Sequence, residues 1–366
     1  MLDRPVPLTK ITLRMLIRAY LPVYLVLLVY YLAVLQVLGP FQTEITFDMA
    51  SALPGLTMTL PPFLFLMLGL LYVRLFVLRG ERTALESVRH WIAGTPWFEL
   101  LVLRIPLGFA VIFALQRIFI AVKPQIPNLN PFAWDHFFID LDRALFFGTD
   151  PWELTHALLP TGGATLFFDQ IYQIWFFAMY AVAFFAVVMR HDSVERLAFL
   201  LSFALSWVIG GTILAAVFSS AGPVYVERLF GDATFVPLTD RLAAQDAIYN
   251  FPFLKTIEHL WQGQVDPEVP ALGISAFPSM HLWISALIAC FCYSVARWLG
   301  WVLIVFAGLI LVGSVHLGWH YAVDGIGGII GAWVLWIICL RFARWWMADP
   351  GPLESRTSIS QRARAA

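Results

Sequence analysis

Long apolar runs broken by short charged stretches dominate this chain. Eight such runs stand near 17–39, 55–78, 99–122, 165–189, 196–219, 281–297, 299–317 and 321–345. At about 1.5 Å per residue, each approaches or exceeds the ~30 Å hydrocarbon thickness of a bilayer. Within lipid a single helix satisfies its own backbone, whereas an isolated strand does not. The pattern therefore predicts an all-α, polytopic integral membrane protein with about eight transmembrane helices. The first run is too long for a cleavable signal and lacks a clear small-x-small exit, so it is expected to remain as a membrane helix.

The polar intervals give the sheet of spans its sidedness. Counting alternate intervals, 17 Lys and Arg fall on one side and 6 on the other. Positive charge favours the cytoplasm, which places both termini there. Five predicted spans precede His281, an odd number, and this sends His281 and His320 to the outer face. The expected location is a bacterial inner membrane with the site open to the periplasm.

Two intervals are long. The first, roughly 123–164, carries Phe137, Phe138, Leu141, Leu145 and Phe146 among Asp135, Asp140, Asp142 and Arg143. This is the pattern of a short amphipathic helix lying at the interface. The second, roughly 220–280, is too long for a connector and is expected to cover the site. The two apolar segments after His281 are joined by Arg297 and a Trp-Leu-Gly turn.

Composition agrees with the pattern. The chain is 60% hydrophobic and only 13% charged, with a mean hydropathy of +0.78. Its 15 Trp and 31 Phe suit membrane interfaces. A net charge of −1 argues against a nucleic-acid partner. Cys290, Cys292 and Cys339 lie inside apolar runs and have neither disulfide nor zinc-ligand spacing.

Chemistry-bearing residues gather between 271 and 331. In Phe277-Pro278-Ser279-Met280-His281, Pro278 cannot continue a preceding helix and Ser279 is a good N-cap. The free N–H groups of the first turn then form an anion site, with His281 beside it. His320 and Asp324, at i and i+4, are read as facing one side of a helix. A carboxylate on one ring nitrogen leaves the other free as nucleophile or base. His316 extends this row. With His320 and Asp324 it could ligate a metal, but no further ligand set accompanies it, and neither metal nor cofactor is expected. Gly327 and Gly331 form a small-residue packing stripe. Asp169, Gln170 and Gln173 stand near the outer start of the fourth span, suited to a head-group pocket or a helix interface.

The pairing of Phe277–His281 with Trp319-His320-Tyr321-Ala322-Val323-Asp324 resembles the type-2 phosphatidic acid phosphatase superfamily. Within it, the branch containing inositol phosphorylceramide synthases is most similar. The shared pattern is Pro-Ser-x-His followed by His-x-x-x-Asp on a six-helix membrane core. The resemblance implies His281 as general acid, His320 as nucleophile, Asp324 as its orienting carboxylate and Ser279 as a phosphate contact. It divides the chain into a two-span extension (1–98), a catalytic core (99–345) and a disordered cytoplasmic tail (346–366).

Two departures stand out. The hydrolase pattern has Lys-x6-Arg-Pro upstream and Ser-Arg before the nucleophile; here Gly313-Ser314 occupies the latter place. No Lys-x6-Arg-Pro is present, and Ser220-Ala221-Gly222-Pro223 is read as its stand-in, with Ser220 and Gly222 as substrate contacts. Phosphate charge is left to helix dipoles, His316, Arg228, Arg241 or Lys255. The resemblance thus implies a phosphotransferase on phospholipid or polyprenyl phosphate, passing the head group to an alcohol such as inositol or a lipid hydroxyl. Lipid phosphate hydrolysis and a non-catalytic membrane role are the alternatives.

Overall fold

The structure, a computed structural model, describes residues 13–41, 43–47, 99–266, 268–270 and 272–348. The second predicted span, near 55–78, and the polar tail beyond 348 lie outside the described residues.

Every regular element described is helical. We label the longer helices α1 (Leu13–Leu38), α2 (Ile105–Val122), α3 (Asp135–Leu145), α4 (Pro151–Leu158), α5 (Gly162–Val188) and α6 (Val194–Val208). They continue with α7 (Val236–Tyr249), α8 (Pro252–Val265), α9 (Met280–Val295), α10 (Arg297–His316) and α11 (Ala322–Met347). Wider turns at Glu99–Arg104 and Ile209–Leu214 extend α2 backward and α6 forward.

Six stretches are long and apolar enough to cross a membrane: Leu13–Phe41, Glu99–Leu129, Gly162–Val188, Val194–Val217, Arg297–His316 and Ala322–Met347. The predicted span near 281–297 is the shorter α9, about 24 Å long at the α-helical rise. The count of eight is thus not what the described residues provide; they hold these six and α9.

Caps explain where several helices begin. Thr161 Oγ1 accepts from Ala164 N at the start of α5, and Ser193 Oγ from Arg196 N at the start of α6. Pro151 and Pro252 open α4 and α8 at a position where a missing N–H costs nothing. The α9–α10 link is Ala296 alone. The turn expected at 297–300 is instead the first turn of α10, and Gly300 allows its backbone to press against Tyr293.

The core is a bundle in which α9 packs against α10 and α11, and α11 against α6. Phe291, Leu287 and Phe199 are fully buried there. The α9–α11 seam is close because Gly328 faces the Ser279 carbonyl; a Cβ there would lie 2.7 Å from that oxygen. Outside the core, α1 joins α2 and α6, with Tyr30 Oη and Thr212 Oγ1 2.7 Å apart. The long interval 220–280 folds into α7, α8 and several short turns. The link from α10 to α11 and the start of α9 lie at one end of the bundle, tied by Ser279 N donating to Asp324 O (3.0 Å).

Candidate active site

Three segments meet at that end: the Ser219–Pro223 turn, the Ala276–His281 entry to α9 and the Leu317–Asp324 passage from α10 to α11. Ser279 is the N-cap of α9, and its Oγ accepts a long bond from Leu282 N (3.5 Å). The Met280 and His281 N–H groups have no partner among the described residues. They are the open donors of a helix N-terminus.

His281 is held by aromatic rings. The ring centroid of Trp175 is 4.3 Å from it and that of Tyr172 is 4.6 Å away. Trp175 Nε1 also donates to the His281 carbonyl (2.9 Å). The His320 ring lies 6.1 Å from that of His281, centroid to centroid. An attacking nitrogen ~3 Å from phosphorus and an acid nitrogen ~2.8 Å from the departing oxygen require a spacing of this order.

His320 follows a tight turn in which Ser314 O accepts from both Trp319 N and His320 N. Its Nδ1 stands 3.4 Å from Asp324 Oδ2, a loose contact of the kind that closes on substrate. Asp324 is fully buried, and Oδ2 also accepts from Tyr321 N (3.0 Å). Its Oδ1 has no partner. Burial holds the His320 pKa down to about 3, against the opposing pull of the nearby Ala276 carbonyl. The imidazole is therefore neutral at ordinary pH, as a nucleophile must be.

Other predicted contacts fall in different places. Ser220 O accepts from Ala276 N (2.8 Å) and Ser220 Oγ from Phe277 N (3.1 Å), so Ser220 fastens the approach to α9. Gly222 has φ +97°, and a Cβ on it would meet Trp319 O at 2.6 Å. His316 is fully buried and turned elsewhere. Its ring stacks on His156 at 3.9 Å and its Nε2 bonds Thr165 Oγ1 (3.0 Å). Arg228 pairs with Glu258, and Arg241 donates to Pro160 O. Asp169 is buried on α5. No group of three or more metal-ligating side chains occurs among the described residues.

Two features escaped the sequence reading. Lys123, at the end of α2, lies near enough for its charge to act on both His281 and His320. It also begins the series Lys123-x6-Asn130-Pro131. The lysine, spacing and proline of the hydrolase pattern are thus present, with asparagine in the arginine's place. Asn130 Nδ2 donates to Ala216 O (2.8 Å), closing the end of the α6 stretch.

The second feature is the inward turn of the acids of α3, a helix the pattern did predict. Asp135 and Asp142 turn inward, at 0% and 3% exposure, while Phe137 and Leu145 face outward. Asp135 accepts from Ala221 N, Gly222 N and Tyr321 Oη, and Asp142 from Ala322 N and Val323 N. Burial raises both pKa values, that of Asp142 to about 7. The N-terminus of α11 is therefore already filled by a carboxylate, and α9 offers the free donors.

No curated protein and no solved structure matches the chain. A family model described as the PAP2 superfamily matches residues 136–338. That is more than half of the 366 residues and takes in Ser279, His281, His320 and Asp324. The chain belongs to the PAP2 superfamily.

Proposed function

We propose that this protein is a membrane phosphotransferase that moves a phosphate-bearing head group from a lipid phosphate ester to an alcohol through a covalent histidine intermediate. Superfamily membership supports phosphatase-like chemistry on lipid phosphates. The observation that carries the reading is the pair of imidazoles 6.1 Å apart, with Asp324 beside His320 and two free N–H groups at the α9 N-terminus.

In this reading the free nitrogen of His320 attacks phosphorus as the bond to the leaving oxygen breaks. Burial lowers the His281 pKa, so this step needs the negative charge of the bound phosphate to favour its protonated form; His281 then gives its proton to the departing alkoxide. Asp324 stabilises the cationic phosphohistidine, while Lys123 and the α9 N–H groups hold the phosphoryl oxygens. The acceptor hydroxyl then loses its proton to His281 and attacks phosphorus. The P–N bond breaks and His320 is restored neutral.

Transfer and hydrolysis differ only in the acceptor. His320 is 7% exposed, so bulk water has poor access to the intermediate, which favours a bound alcohol such as inositol or a lipid hydroxyl. The family's two arginine places hold Asn130 and Ser314, consistent with the synthase-like branch. A hydrolase reading draws on Lys123 and Pro131 at the hydrolase spacing.

The test is turnover of phosphatidic acid, polyprenyl phosphate and phosphatidylinositol by purified protein in nanodiscs, with and without inositol or a lipid alcohol. The proposal expects head-group transfer to exceed phosphate release. Phosphate release unaffected by any acceptor would favour the hydrolase, and no turnover of any lipid phosphate would remove both.

A further inference from the structure

The carboxylates of α3 are arranged for something other than holding a surface helix in place. Asp135 and Asp142 are seven residues apart, about two turns, and so share one face. Each reaches a different part of the site. Asp135 bridges the Ala221–Gly222 turn (3.0 and 2.9 Å from its Oδ1) and the Tyr321 hydroxyl (2.8 Å), next in sequence to His320. Asp142 accepts the first N–H groups of α11, from Ala322 (2.8 Å) and Val323 (2.9 Å). Asp324 is the next residue of that helix.

Neither carboxylate has a cationic partner among the described ion pairs. Arg143 on the same helix is committed to Asp150, and His136 contacts Asp232. Desolvating two carboxylates against neutral N–H and O–H donors is costly, and an apolar residue would secure a helix at less expense. The raised pKa values of both groups reflect that cost. What the arrangement supplies is register. Two bonds fix the turn that abuts Trp319 O, one fixes Tyr321, and two fix the helix end carrying Asp324. Together they confine His320 from both sides.

We propose that Asp135 and Asp142 are positioning residues for the reaction at His320, holding the nucleophile and its orienting carboxylate at working distance from His281. The inference rests on the reading of His320 as nucleophile given above. It assigns a part in the reaction to a helix whose other face, at Phe137 and Leu145, is apolar and exposed.

The experiment is pre-steady-state turnover of a p-nitrophenyl phosphodiester by the full chain in nanodiscs. Burst amplitude counts competent sites, and the burst rate constant reports attack by His320. Asp135→Asn and Asp142→Asn keep the side-chain shape but lose one acceptor. Each is expected to retain the burst amplitude while its rate constant falls ~10²-fold, the scale of an ångström of misplacement. KM should stay within about threefold, because binding is left to Lys123 and α9. Tyr321→Phe, which removes only the hydroxyl to Asp135, should slow the burst about tenfold, a loss comparable with one hydrogen bond to a charged group. Asp140→Asn, on the exposed face of α3, should behave as wild type.

A lower amplitude at an unchanged rate constant would mean that α3 supports folding alone, and it overturns the proposal. Should both Asn variants fail to fold, Tyr321→Phe decides: a wild-type burst rate overturns it. A wild type that forms no burst removes the nucleophile reading, and this inference with it.

Discussion

Replacing Gly222 with alanine tests how tightly the site loops are set against one another. Gly222 has φ 97° and ψ 163°, a region nearly closed to residues with a Cβ, where strain costs of order 1–3 kcal/mol. The added Cβ would stand 2.6 Å from Trp319 O. Ordinary contact begins at 3.4 Å, so something must yield by about 0.8 Å. The Gly222 side is held by Asp135 and the Trp319 side by Ser314 O. Because His320 is the next residue, part of the displacement passes to the nucleophile. A shift approaching 1 Å costs up to ~10²-fold in rate, and the strain lowers the thermal midpoint by several degrees. Gly231→Ala is the control. It also has positive φ (67°), but nothing lies within 4 Å of the added Cβ, so it should lose stability without losing kcat. Steady-state turnover with thermal unfolding on both variants in nanodiscs is the assay. Wild-type kcat in Gly222→Ala, or equal loss in both, would refute the steric coupling.

His281→Ala should be severely slowed on a natural lipid ester but recover substantially on a p-nitrophenyl ester, whose phenolate leaves without a proton; equal loss on both would remove the acid role. Stability should fall on acidification. Burial holds His320 and His191 down to about 3, so the unfolded chain takes up protons first and stability is lost as pH falls from about 6.5 toward 3. His191→Phe should flatten that limb in a thermal-shift series. Asp142, raised to about 7, has the opposite sign: its contribution is present at low pH and lost as pH rises through 7, and Asp142→Asn should flatten the change near neutrality. Finally, a cysteine at Ile248, 80% exposed, should react with an impermeant thiol reagent in intact spheroplasts, whereas one at Asp192 should not; the reverse labelling would invert the proposed topology.

Among the described residues the long apolar helices were legible because uncharged runs leave little choice of conformation in lipid, and the helix ends fall within a few residues of those read from the pattern. Elsewhere, local spacing misled for identifiable reasons. Trp298-Leu299-Gly300 looks like a turn, yet Gly300 serves the close approach of α10 to Tyr293. His316 is four residues from His320, but α10 ends at His316, so helical spacing does not extend across the gap and the two rings diverge. His320 and Asp324 do meet, through the bond from Tyr321 N to Asp324 at the start of α11. The alternation in α3 correctly suggests an amphipathic helix. Periodicity cannot say that its acids turn inward to meet N–H groups 86 to 181 residues away. Lys123 was hidden differently, since it ends an apolar run and Asn130 breaks the arginine pattern that would have marked it.

In the proposed reaction His320 becomes covalently bound to phosphorus during turnover. Purified protein in nanodiscs would be mixed with a lipid phosphate ester labelled at phosphorus, quenched within the first turnover and digested for peptide mapping. The expected adduct is labile in acid and stable in base, and is carried on the peptide containing His320. The adduct should be absent from His320→Ala and formed ~10²–10⁴-fold more slowly in Asp324→Asn, the range seen when an orienting carboxylate is lost. Full turnover by His320→Ala, or label found on another residue, would contradict it.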